Sequence, residues 1–124
     1  LAAIVAIALV GSAVGNYAKA QNAQQPVGAI MFACTNENAI MVVVAAAERD
    51  DTATMKAMHE SPQCQLAGSA PVSQSMLDDP RAKFEMETRT KGGGRLAVYS
   101  VETRNGTAWL LLLVSEDAKL APSA

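Results

Sequence analysis

A chain of 124 residues with a formal net charge of −2 has room for one domain with a modest core, and it lacks the global positive field that would draw in nucleic acid or anionic lipid. Hydrophobic residues make up 50 % of the chain, yet only Tyr17, Phe32, Phe84, Tyr99 and Trp109 are aromatic. Small aliphatic side chains and methionine must therefore fill most of the interior.

From Leu1 to Val14 the chain is almost wholly apolar, and Ala18-Lys19-Ala20 then precedes Gln21. Small residues at both outer positions of A-x-A, just after a short apolar run, match a signal-peptidase site. The run is shorter than the ~20 residues a membrane-spanning helix needs. The expectation is an N-terminal signal helix over residues 1–20, cut between Ala20 and Gln21, with its basic n-region upstream of Leu1. An uncleaved anchor is the alternative, and only through it would the chain touch a membrane. Export to the bacterial periplasm or beyond makes a disulfide the expected state of Cys34 and Cys64, the only two cysteines. Closing a loop of about 30 residues stabilises a fold by roughly 3–4 kcal/mol in the chain-entropy model.

Residues 21–29, polar and broken by Pro26, read as a flexible spacer before a single domain over 30–116. Ile30 to Phe32 is a short apolar lead into Cys34. Thr35 or Asn36 can cap a helix, with Glu37 in its first turn. Ala39 to Ala47 is apolar without a break. Its three valines favour a strand; its alanines, the cap and the continuation through Glu48 and Arg49 favour a helix, which is the reading adopted. A helix apolar on all sides is expected to be mostly covered. Asp50 and Asp51 can cap a second helix over about Thr52 to Glu60, and Pro62 stops it. The disulfide would then close this helical pair. Gln65 to Met76 is weakly patterned and reads as one irregular edge strand near Val72 to Met76. Asp78-Asp79-Pro80 is a turn signal.

Arg81 to Thr90 alternates strictly, with Ala82, Phe84, Met86 and Thr88 on one side. Lys91-Gly92-Gly93-Gly94 makes a turn, Leu96 to Thr103 a second strand, Asn105-Gly106 a hairpin signal, and Thr107 to Val114 a third strand. A two-residue Asn105-Gly106 loop and a four-residue Lys91–Gly94 loop independently place Phe84, Met86, Ala97, Tyr99, Val101, Leu110, Leu112 and Val114 on one face, the expected contact face for the helices. The same registers set Lys83 opposite Glu102. The other face grades from charged on the first strand to apolar at Trp109, Leu111 and Leu113, with Val98 and Leu96 beside them. Cover for that apolar end would come from the 65–76 segment, from curling of the sheet into a partial barrel, or from a protein partner or a second copy of the chain. Residues 117–124 read as a polar tail.

Groups able to do chemistry are sparse. The only histidine, His59, ends the second helix and reads as solvated. Two cysteines and one histidine fall short of a four-ligand zinc site, so no metal and no cofactor are expected. Gly92-Gly93-Gly94 opens no helix and builds no phosphate cradle. Asp50-Asp51 and Asp78-Asp79 sit at turns, and Glu85 and Glu87 are flanked by Lys83 and Arg89. No pair of carboxyls lies in the contrasting environments that acid–base catalysis needs. Arg89, Lys91 and Arg95 cluster at the glycine turn without interleaved aromatics, which argues against nucleic acid.

The expected architecture is α+β: a signal helix, then a helical pair closed by Cys34–Cys64 and packed on a three- or four-stranded antiparallel meander. The expected function is a non-catalytic, exported interaction module of the bacterial envelope, an inhibitor or accessory subunit meeting its protein partner through Trp109, Leu111, Leu113, Val98 and Leu96. A structural envelope component held by an uncleaved N-terminal helix is the second reading, and a small hydrolase or redox enzyme the remote third.

Overall fold

The computed structural model describes residues 25–120; the signal segment, with Ala18, Ala20 and Gln21, lies outside them. Eight elements follow in order: β1 (Pro26–Cys34), α1 (Glu37–Arg49), α2 (Thr52–His59), β2 (Cys64–Ser73), α3 (Gln74–Leu77), β3 (Ala82–Arg89), β4 (Arg95–Thr103) and β5 (Gly106–Val114). The strands form one antiparallel sheet in the order β2-β1-β5-β4-β3. The class is α+β, as expected, but the sheet has five strands. The expected meander is its β3-β4-β5 half. The other half consumes the expected spacer, since β1 begins at Pro26, and turns the expected edge strand at 72–76 into the end of β2 followed by a short helix.

The helices form where their caps demand. Asn36 accepts the Ala39 N–H at 2.8 Å through its side chain and starts α1. Asp50 ends it in the left-handed region (φ 58°), which a short polar side chain tolerates, and its N–H returns to the carbonyls of Ala46 and Ala47. Asp51 then caps α2, taking the Thr54 N–H at 3.1 Å and the Thr54 hydroxyl at 2.6 Å. Buried Ile40, Val43, Val44 and Ala47 press α1 onto the sheet over β1 and β5, while α2 lies beside β2. The outer side of α1 is not covered as expected: Met41 and Val42 stay 40 % and 44 % exposed.

The side of the sheet taken by the helices is the reverse of the expected one. Leu96, Val98 and Leu111 are buried in one cluster with α1, Phe32, Cys34 and Cys64, and Trp109 packs against it half-buried. Ala97, Tyr99, Leu112 and Val114 belong to a second cluster on the opposite face, with Ala82, Phe84, Ile30 and Leu110 at its margin. The strand faces were grouped correctly on β4 and β5 because the register error there is even. Thr103 pairs with Gly106, not Arg104 with Thr107, so Glu102 meets Thr107 and Tyr99 meets Leu110. The two-residue loop thus moves one position back, to Arg104-Asn105, and the Thr103 hydroxyl holds it there, donating to the Gly106 carbonyl at 2.6 Å and accepting the Asn105 N–H at 3.2 Å. A slip of two preserves which face each residue occupies.

On β3 the error is odd at first. Thr90 closes its own loop with Gly94, so Arg89 pairs with Arg95 and Met86 with Val98. Met86 and Thr88 thereby join the helix side, where the Thr88 hydroxyl donates to Glu48 of α1 at 2.5 Å. A bulge between Phe84 and Met86 inserts the residue that restores the original parity, and Phe84 returns to the side of Tyr99. The two rings meet edge to face at 5.7 Å. Lys83 consequently faces Ser100 rather than Glu102, and Ser100 donates to Glu85 at 2.6 Å. A matching irregularity at Met31 in β1 puts Ile30 with Leu112 and Phe32 with Leu111. Gly28 lets β1 lie flat on β5: a Cβ there would sit 2.8 Å from the Leu113 carbonyl oxygen.

Cys34 and Cys64 are directly opposed, with Cα atoms 4.0 Å apart, and are joined by a disulfide. The bridge ties the last residue of β1 to the first of β2, rather than one helix to another, and both halves are buried. Everything between them, α1 and α2 included, is a loop with its ends welded. Replacing both cysteines by serine should lower stability by roughly 3–4 kcal/mol, read as a drop in the urea midpoint relative to the oxidised protein, with a steeper slope because the uncrosslinked chain exposes more surface when unfolded.

The expected polar tail is instead a strap. Ala118 and Leu120 are buried against the second face, while Glu116, Asp117 and Lys119 face solvent. The guanidinium of Arg95, through Nη1, donates to the carbonyls of Ser115, Glu116 and Ala118 at 2.8–3.0 Å. Arg89 forks onto the Glu116 carboxylate, and the Gln74 side chain exchanges two bonds with the Lys119 backbone at 2.8 and 2.9 Å. The buried Tyr99 hydroxyl donates to the Leu120 carbonyl at 2.6 Å. Burial pushes the phenol above its ordinary value, so it stays a donor. Tyr99→Phe leaves that carbonyl unpaired and should cost about 1–3 kcal/mol; amide exchange should quicken at residues 118–120 and remain slow in α1.

Candidate functional site

The second face is only half covered. The strap lies over Val114 and Tyr99, and α3 lies over Val72. Between them and the β4–β5 turn a groove of about 560 Å³ stays open. Its floor is aliphatic: Ile30 from β1, Val72 from β2, Val101 from β4, and Leu110 and Leu112 from β5. Met76 and Leu77 of α3 form one wall, and Met76 is 50 % exposed. α3 is set at that spot by Ser73, whose hydroxyl accepts the Met76 N–H and caps the single turn. Asp79, Arg81, Glu102 and Arg104 make a charged rim. An aliphatic floor with a few polar groups at the mouth, in a volume of this order, is the usual constitution of a binding site.

The rim is partly organised by its own contacts. Asp79 accepts the Arg81 backbone N–H at 2.8 Å and the Arg81 side chain at 3.1 Å and 2.9 Å. These bonds hold the Asp79 carboxyl well below the ordinary carboxylate range, at about 2. Across the mouth, Glu102 accepts the Thr107 hydroxyl at 2.6 Å. A second hollow, about 850 Å³, lies beneath Lys119 and Leu120 and shares Leu77, Asp79, Ala82 and Tyr99 with the groove. A third, about 430 Å³, sits at the disulfide end, between the Ser61–Gln63 loop and the β4–β5 turn.

The residues expected to await a partner are placed otherwise. Leu96, Val98 and Leu111 lie beneath α1 and are at most 3 % exposed, and Trp109 packs at the margin of the same cluster. Leu113 alone among them is substantially open, at 41 %. The cover comes from the helices, neither from the 65–76 segment nor from closure of the sheet. His59 is engaged locally, its Nδ1 accepting the Leu66 N–H at 3.3 Å, which ties the end of α2 to β2. Among the described residues no group of three or more histidine, cysteine or acidic side chains could hold a metal ion, and no helix is long and apolar enough to cross a membrane. Comparison of the chain with protein-family models, curated proteins and solved structures gives no match.

Four of the groove residues, Tyr99, Val101, Leu110 and Leu112, stand in the face expected to meet the helices. Ile30, Val72, Met76 and Leu77 were not expected there. The signal for them was indirect: β5 is apolar on both faces, so a single helical pair leaves one face short of cover. At the rim, the carboxyl carbon of Asp79 should titrate near 2 in an NMR pH series, and Arg81→Gln should return it toward 3.8. Because the folded value lies below the unfolded one, the Asp79–Arg81 contact supports the fold above the ordinary carboxylate pKa and is lost as the pH falls through the folded value.

Proposed function

We propose that the chain is a non-catalytic interaction module of the bacterial envelope, exported to the periplasm or beyond, and that its protein partner is received in the groove between α3 and the β4–β5 turn. The disulfide fits an oxidising, extracytoplasmic compartment. The module would act as an inhibitor or an accessory subunit. The observation that carries the reading is the open aliphatic floor of Ile30, Val101 and Leu110 on an otherwise well-paired sheet. A partner side chain entering there removes apolar surface from water on a platform that is already folded, at about 25 cal/mol for each Å² covered. This moves the partner surface from the Trp109 side of the sheet to the opposite side.

The test is site-specific photo-crosslinking in intact cells. A benzoylphenylalanine replacing Val101 should give one discrete protein adduct, and the same residue at exposed Lys56 of α2 should give none. Equal adducts at both positions, or none at Val101, would refute the assignment of the groove.

A further inference from the structure

The chain carries six methionines, and they are not equivalent. Met31, Met55, Met58 and Met86 pack against the helix-side cluster. Met41 lies on the outer side of α1, away from the groove. Met76 is the most exposed large apolar side chain among the described residues, and it alone of the six walls the groove. Its sulfur also has a backbone task. α3 opens with a capping box: the Ser73 hydroxyl accepts the Met76 N–H at 3.4 Å, and the Met76 sulfur accepts the Ser73 N–H at 3.5 Å. The second position of such a box is ordinarily glutamate or glutamine, whose side-chain oxygen is a good acceptor. A thioether is a weak one. α3 is thus a single turn closed by a weak bond, at a side chain open to solvent. Methionine sulfoxide carries an oxygen on that sulfur and offers the box the kind of acceptor that glutamine provides. The disulfide, too, fits a compartment without the reducing thiol pool of the cytosol.

We propose that Met76 is an oxidation site, and that its sulfoxide tightens α3 while closing the groove to the partner. The oxidant is a hydroperoxide such as hydrogen peroxide. A sulfur lone pair attacks one peroxide oxygen, the S–O bond forms as the O–O bond breaks, and the sulfur gives up two electrons. The proton of the transferred hydroxyl passes to the departing one, which leaves as water. A dithiol-dependent sulfoxide reductase reverses the step, releasing the oxygen as water while two thiols become a disulfide. The new oxygen has lone pairs beyond the one given to Ser73, and a partner covering the groove would strip their water. The closing of the groove rests on its reading as the partner surface; the oxidation and its effect on α3 do not.

The purified, disulfide-bonded protein treated with dilute hydrogen peroxide tests the first part. Peptide mass spectrometry should find one added oxygen on Met76 and Met41 before it appears on Met31, Met55, Met58 or Met86. In amide NMR the Ser73 proton should move downfield and exchange more slowly, with Val43 and Val44 of α1 unmoved. Met76→Gln should show the slow Ser73 exchange without peroxide, and Met76→Leu should show fast exchange that peroxide does not change. Oxidation of Met76 no sooner than of the packed methionines, or faster Ser73 exchange after oxidation, would overturn the proposal. Crosslinking in cells from benzoylphenylalanine at position 101 tests the second part. Met76→Leu should keep the adduct, and Met76→Gln should reduce it about tenfold, the effect of one polar group brought under the partner. An equal adduct from both variants overturns the closing of the groove and leaves the groove as the partner surface. No adduct from either variant or from the parent chain refutes the groove, and its closing with it.

Discussion

The fold depends on β1 lying between β2 and β5. It is the only strand that joins the two halves of the sheet, with β2 on one side and the β3-β4-β5 meander on the other. Remove it and β2 has no partner, while the meander has an exposed edge at β5. Its central place also makes it responsible for both faces. The irregularity at Met31 turns the strand so that Phe32 and Cys34 feed the helix-side cluster, whereas Val27 and Ile30 feed the other. Opposite that point β2 swings out through Gly68 and Ser69, both at positive φ, which lets the pairing resume at Leu66. The disulfide then fixes the end of the β1–β2 ladder where the chain leaves for α1 and returns from α2.

A sheet apolar on both faces needs two layers of cover, and the chain supplies them unequally. A helix with its side chains is about 10 Å across and neighbouring strands are about 4.8 Å apart, so a pair of helices spans roughly four strands. α1 and α2 do this on the first face. On the second face the described residues supply one strap and one turn of helix. A strap is about as wide as a strand, so together they span about half of what the helical pair spans. The groove over Ile30, Val101 and Leu110 is the uncovered remainder. Its existence follows from the allotment of residues, and its position follows from where Arg95, Tyr99 and Gln74 anchor the strap.

Much of the fold was legible where a local chemical signal acts alone. Asn36 and Asp51 cap their helices as their types require, and the last three strands follow from alternation and turn residues. What was not legible depends on competition between equal signals. On β5, Trp109, Leu111 and Leu113 alternate with Leu110, Leu112 and Val114, so nothing in that strand says which set meets the helices. The bulge at Glu85 leaves no mark, because the strict alternation of Arg81 to Thr90 is compatible with pairing that slips by one. The Thr103 and Thr90 hydroxyls shift the closure of their loops, and a threonine at a strand end is too common to announce it. The strap was hidden by composition: Glu116, Asp117 and Lys119 dominate the average, and only Ala118 and Leu120 mark a segment with one buried side.

The candidate site inherits these ambiguities. Its floor residues were visible as apolar strand positions, but their openness could not be read without knowing that the helices had taken the other face. The consequence is mechanical as well as geometric. The groove's floor belongs to paired strands of a sheet that the disulfide and two hairpins hold in register, so the ordering entropy of binding a partner there would fall on the partner and little on the protein. The strap's effective concentration is set by the short link from Val114, so the side-chain bonds to its main-chain carbonyls and the burial of Ala118 and Leu120 come at little entropic cost. An untethered partner would lack that advantage and would have to draw more from apolar burial, which is the resource the groove offers.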